Sequence, residues 1–90
     1  MRDIDRIIQR LKVELPGSQV KRLPVSNPGD DDGLWFVSIS NRQETVQMES
    51  STEDCPFLIE SDFNADRHIG SSVEEVVSIV RRLFFGSQRS

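Results

Sequence analysis

The sequence predicts an α+β protein, a two-layer sandwich in the order α-β-β-β-(β)-α. An antiparallel three- to four-stranded meander carries both helices on one face. Three observations lead there. Apolar residues recur at helical spacing at the two ends of the chain, over 3–15 and 73–85. Between them, 34–40 and 44–50 alternate with the period of two that marks strands. Short polar stretches rich in turn formers separate these segments.

In the first helix, Ile4, Ile7, Ile8, Leu11 and Leu15 fall on one face. Asp3 is placed to cap its N-terminus, and Asp5 suits the positive end of the dipole. Arg2, Arg6 and Arg10 lie on the polar side, and Val13 points away from the apolar stripe. Pro16-Gly17 stops the helix. Residues 19–25 form an extended piece whose Pro24 lacks an amide donor, which confines it to a sheet edge or an irregular stretch. Residues 26–33 are a loop by composition.

Residues 34–40 are the strongest strand. Trp35, Val37 and Ile39 share one face, while Leu34 and Phe36 give way to Ser38 and Ser40 on the other. Asn41-Arg42-Gln43 is a hairpin loop. In 44–50, Val46 and Met48 point inward and Thr45, Gln47 and Glu49 outward, as in a strand wet on one side. After a polar loop, Pro56 opens a short strand over 57–60. Residues 61–71 read as a polar connection anchored by Phe63 and Ile69.

The closing helix carries the stripe Val73, Val76, Val77, Val80, Leu83 and Phe84. Ser72 and Glu75 fit a capping box, and Gly86 is the expected stop. Glu74 and Glu75 at its start and Arg81 and Arg82 near its end complement the dipole. Valine is a modest helix former, so packing must hold this helix. A single domain is expected over 1–86, with a disordered tail at 87–90.

Ninety residues leave no room for a multidomain enzyme. No apolar run approaches the ~18 residues of a membrane span. One cysteine excludes an intrachain disulfide and any multi-cysteine zinc pattern. Residues 1–15 lack the apolar core of a signal peptide, so a cytoplasmic location is expected. A domain this short buries only about 60% of its unfolded surface, and self-association would supplement its core.

The formal charge of −4 is unevenly spread. Residues 1–22 carry +3, residues 23–66 carry −9 and residues 67–90 carry +2. With both helices on one side, the acids would belong to the opposite face and its loops. A basic protein partner then fits that face, and nucleic acid does not.

Candidate sites are few. Cys55 and His68 are the only thiol and the only imidazole, and nothing in their spacing brings them together as a nucleophilic pair. Asp30-Asp31-Asp32-Gly33 resembles part of a calcium loop. Aligned on Gly33, however, the first and twelfth places fall on Pro28 and Ile39, so a solvated acidic turn is the better reading. Asp62, Asn64 and Asp66 have ligand spacing, but Arg67 stands where glycine is needed and Val73 where the closing carboxylate belongs. No catalytic, cofactor or metal residue is assigned. Phe36, Phe85, Asp30, Asp31 and Asp32 are the candidate partner contacts.

The expectation is a small acidic, non-enzymatic, bacterial-type protein-interaction module, forming a homodimer through strand edges or helix ends. The alternative is an acidic inhibitor of a basic protein, in the manner of an immunity protein or antitoxin. A small metal-dependent or thiol enzyme ranks last.

Overall fold

A computed structural model describes residues 2–22, 33–40, 42–62 and 64–85, apart from the side chains of 64–66. Seven elements follow in order: α1 Asp3–Glu14, β1 Ser18–Arg22, β2 Leu34–Ile39, β3 Thr45–Glu49, β4 Phe57–Ser61, β5 Asn64–Gly70 and α2 Val73–Phe85. The strands form one antiparallel sheet in the order β1-β2-β3-β4-β5. Both helices pack together against it, as the sequence predicts. Pro24, the acidic turn, Phe63 and the tail 86–90 lie outside the described residues.

The core follows from alternation. Trp35 and Val37 of β2, Val46 and Met48 of β3, and Phe57 and Ile59 of β4 are buried on one face. They meet Ile4, Ile7, Leu11 and Leu15 from the first helix and its exit. From α2 come Val76, Val77, Ile79, Val80 and Phe84. Each large apolar side chain so buried contributes roughly 1.5–3 kcal/mol. The Trp35 and Phe57 rings lie 6.1 Å apart at a 60° tilt, within the favoured range for aromatic pairs. Val13, off the stripe, is 77% exposed.

The sheet has one strand more than the three or four expected. Residues 67–70 pair with β4, placing Ile69 opposite Leu58 and Arg67 opposite Glu60, and after a register shift Asn64 stands opposite Ser61. Asp62 pins the turn between the two strands. Its amide donates to the Thr45 carbonyl at 3.1 Å, and its carboxylate accepts the Thr45 amide at 3.0 Å. Ile69 is therefore no core anchor. It points to the uncovered side of the sheet and is 58% exposed.

The number of strands sets the helix directions. In an antiparallel meander of five, β5 runs parallel to β1. α1 turns back into β1 through Pro16-Gly17, and β5 turns back into α2 through Ser71-Ser72. The two helices consequently run parallel to each other. Their ion pairs agree: Arg10 meets Glu74 and Glu14 meets Arg81, so residue numbers rise together along the interface.

Both helix starts differ in detail from expectation. The N-cap residue of α1 is Arg2, not Asp3. The Asp3 carboxylate instead accepts the Cys55 amide at 2.9 Å, while the Asp3 amide donates to the Asp54 carboxylate at 2.8 Å. The Ile4 amide donates to the Glu53 carbonyl at 3.0 Å. Loop 51–56 thus satisfies amides that a helix cannot pair internally. At α2, the Glu75 amide donates to Ser72 Oγ at 3.1 Å as a capping box requires. The Glu75 carboxylate, however, accepts the amide of Ser71 at 2.7 Å, one residue before the expected donor.

Candidate functional site

The helices cover one face of the sheet and leave the other open. Strand register arranges the open-face residues in two rows. One row runs Leu34, Glu49, Leu58, Ile69 across β2 to β5. The next runs Lys21, Phe36, Gln47, Glu60, Arg67 across β1 to β5. Leu34, Phe36 and Leu58 are half-buried by their neighbours, and Ile69 is exposed. A groove of about 430 Å³ opens at one end, lined by Leu58 and Ile69 together with Glu49, residues 50–52 and 56–57.

The charges on this face are mixed. Glu60 Oε2 accepts from Arg67 Nε at 2.7 Å, and Gln47 Nε2 donates to Glu60 at 3.4 Å. Two bases, Lys21 and Arg67, stand with two acids, Glu49 and Glu60, among the described residues of the rows. The described face is therefore not the acidic surface that the segment charges suggest. Two acids of the −9 segment are paired elsewhere: Glu53 lies 3.8 Å from Arg2 and 3.4 Å from Arg22, and Glu44 lies 3.1 Å from Arg42.

Of the predicted partner contacts, Phe36 lies in the second row of the open face. Phe85 sits at the far end of α2, 51% exposed, with the Arg42 guanidinium 5.4 Å from its ring. Arg42 also donates to the Phe84 carbonyl at 2.7 Å, closing the end of α2. Phe36 and Phe85 thus belong to different surfaces. Asp30, Asp31 and Asp32 lie outside the described residues.

Cys55 is half-buried beside Asp3, Asp54 and Glu75. Burial foremost, then the hydrogen bond and negative charge of Asp3, push its thiol up to about 11. A thiol so raised is almost wholly protonated at neutral pH, the opposite of an activated nucleophile. His68 stands on the covered face of β5 opposite Ile59. Its Nε2 is buried and finds no hydrogen-bond partner among the described residues. Among those residues no three His, Cys, Asp or Glu side chains are grouped to hold a metal. No described helix is long and apolar enough to cross a membrane.

Leu58 and Ile69 are the open-face residues that sequence reasoning missed. The alternation Phe57, Leu58, Ile59, Glu60 carries the signal for Leu58. Ile69 has none of its own, because its facing depends on the pairing of β5.

Fold and site together define a two-layer sandwich with an uncovered, partly apolar sheet face. Comparison with protein family models, curated proteins and solved structures finds no match.

Proposed function

We propose that the chain is a small non-enzymatic protein-interaction module that binds through its open sheet face. The observation that carries this reading is the group Leu34, Phe36, Leu58 and Ile69, all on the side of the sheet the helices leave uncovered. Leu34 with Phe36 and Leu58 with Ile69 form two apolar pairs on either side of Glu49 and Gln47, and exposed apolar groups rimmed by polar residues are characteristic of interaction surfaces.

Affinity capture from the source cell with three immobilised forms tests the assignment. The native chain and a Val13→Asp variant, altered on the helix side, are expected to retain the same protein. Leu58→Asp is expected to lose it while keeping its circular dichroism spectrum. Retention by all three forms would overturn the open-face assignment. A captured protein that is basic and released by salt would favour the inhibitor reading, through the acidic residues Asp30, Asp31 and Asp32.

Self-association is tested separately by light scattering over a concentration series. A dimer that Phe85→Asp dissolves would place the contact at the end of α2. A monomer at all concentrations would dismiss the homodimer.

A further inference from the structure

The outer edge of β5 is the second feature of this surface. β5 is hydrogen-bonded to β4 on one side and lies at the margin of the sheet on the other. An edge strand offers alternate backbone amides and carbonyls as a template for another strand. Natural edges are commonly blunted by charge, proline, a bulge or a covering element. Here the register shift falls at Glu60/Ser61, outside the regular pairing of 67–70, and Arg67 is the charged side chain on that stretch. Described residues 67–70 contain no proline, and they present Ile69 at 58% exposure.

The neighbour that β5 already has shows which side chains suit it. β4 reads Leu58-Ile59-Glu60. Antiparallel register sets Leu58 against Ile69 and Glu60 against Arg67, where the carboxylate and guanidinium meet at 2.7 Å. Ile69 and Arg67 stand on the same open face and remain largely accessible, the Arg67 side chain at 72%. An added strand on the outer edge would meet the same two side chains from the other flank. Antiparallel pairing is slightly the more stable kind, and it reverses residue order. The matching pattern, read from N to C, is therefore an apolar residue, any residue, then an acid. The apolar group extends the row Leu34, Glu49, Leu58, Ile69. The acid extends the row in which Glu60 faces Arg67, giving the guanidinium a carboxylate on each side.

We propose that β5 accepts, by strand addition, an extended protein segment of the pattern apolar-x-acidic. This deepens the open-face reading and rests on it: the face gives apolar contact, and the edge gives backbone pairing and register.

The test uses the whole chain and three synthetic peptides, followed by amide chemical shifts. The first peptide is acetyl-Ser-Thr-Leu-Thr-Glu-Thr-Ser-amide. The second replaces Glu by Lys. The third is the first with alternate amides N-methylated. The Glu peptide is expected to shift the amides of 67–70 most strongly. The Lys peptide is expected to bind about fivefold more weakly, since like charges facing across strands repel. The methylated peptide is expected not to bind. Arg67→Glu should invert the preference between Glu and Lys. Equal binding of those two peptides, undiminished binding of the methylated one, or no shift with any of them would overturn the proposal. So would shifts confined to Leu34 and Phe36, which would still leave the open-face assignment standing. Loss of cellular capture by Leu58→Asp is read independently of these peptides, so the two ideas fail separately.

Discussion

Asp3 illustrates how one residue can be correctly singled out and serve a different purpose. Its position suggests a cap, yet its carboxylate reaches 52 residues along the chain to the Cys55 amide. That hydrogen bond, the largest cause, holds its carboxyl below the usual 3.8. A carboxyl lowered on folding contributes stability that is present above its unfolded pKa and lost as the pH falls through the folded one. Asp3→Asn should therefore flatten the acid side of a melting-temperature profile below about pH 4 and leave the profile shape near pH 7 unchanged. An unaltered acid limb would contradict the assignment.

Gly33 gives a sharper residue-scale expectation. Its carbonyl accepts the Ser50 amide at 2.7 Å, and a Cβ built there would stand 1.9 Å from the Ser50 carbonyl oxygen. The obstacle is backbone and cannot rotate away. Gly33→Ala should cost at least about 2 kcal/mol in chemical denaturation, at the level of a clear overpacking defect. A neutral result would mean that the two strands separate there readily. His68→Leu carries the opposite sign. It removes a buried nitrogen without a partner among the described residues, so it should hold or raise stability by up to about 1 kcal/mol.

At the scale of elements, what the sequence reveals depends on where each element draws its stability. α1 and α2 were legible because their stripes meet a core, and the periodicity records that contact. β2 and β3 were legible for the same reason with period two. β5 was not, because residues 61–70 include Asp62, Asn64, Asp66, Arg67, His68 and Gly70, a composition poor in strand formers. Its conformation is imposed by pairing with β4 and by α2 packing over it. Propensity does not encode such non-local support. The open face was half legible for a related reason: Phe36 and Leu34 could be placed on it, but not the pairing that brings Leu58 and Ile69 alongside.

The join between the helices is electrostatic at its rim. Arg10 binds Glu14 on its own helix, with Nε to Oε2 at 3.0 Å, and also Glu74 on α2. Arg81 of α2 lies 3.3 Å from Glu14. Glu74 and Arg81 are largely exposed while Arg10 and Glu14 are half-buried, so salt should screen these pairs through their exposed partners. Glu74→Gln is expected to lower the melting temperature slightly in dilute buffer, with the difference vanishing in about 1 M sodium chloride. A deficit that persists at high salt would indicate a packing role for that side chain instead.

For the whole molecule, the odd number of strands has the widest effect. Parallel helices bring both positive dipole ends towards the same end of the sandwich, where Asp3, Asp5, Glu74 and Glu75 stand in their first turns. On α2 the described charge is ordered along the helix, Glu74 and Glu75 at one end and Arg81 and Arg82 at the other, whereas Arg2 and Arg6 offset Asp3 and Asp5 at the start of α1. The uneven segment charges pointed to a molecule polarised across the sheet, acids opposite the helices, an axis that the mixed charges of the described face do not follow. Whether the two helix dipoles add or oppose depends on whether the meander has four strands or five, and β5 decides it.

The same parity governs how the chain could be rewired. Arg2 is held at the loop following β3, through the Thr52 carbonyl, whereas Phe84 is held by Arg42, from the hairpin preceding β3. The two helical ends of the described chain consequently leave the sandwich at opposite poles. Because Arg10 lies level with Glu74, Arg2 stands about eight residues beyond the start of α2, and the poles are about 28 Å apart. A circular permutant joining 85 back to 2 would need a linker of about eight or more extended residues laid along the helical layer. A four-stranded relative, with its helices antiparallel, could close with a tight turn. Fused copies of this chain should accordingly string out end to end rather than fold back side by side.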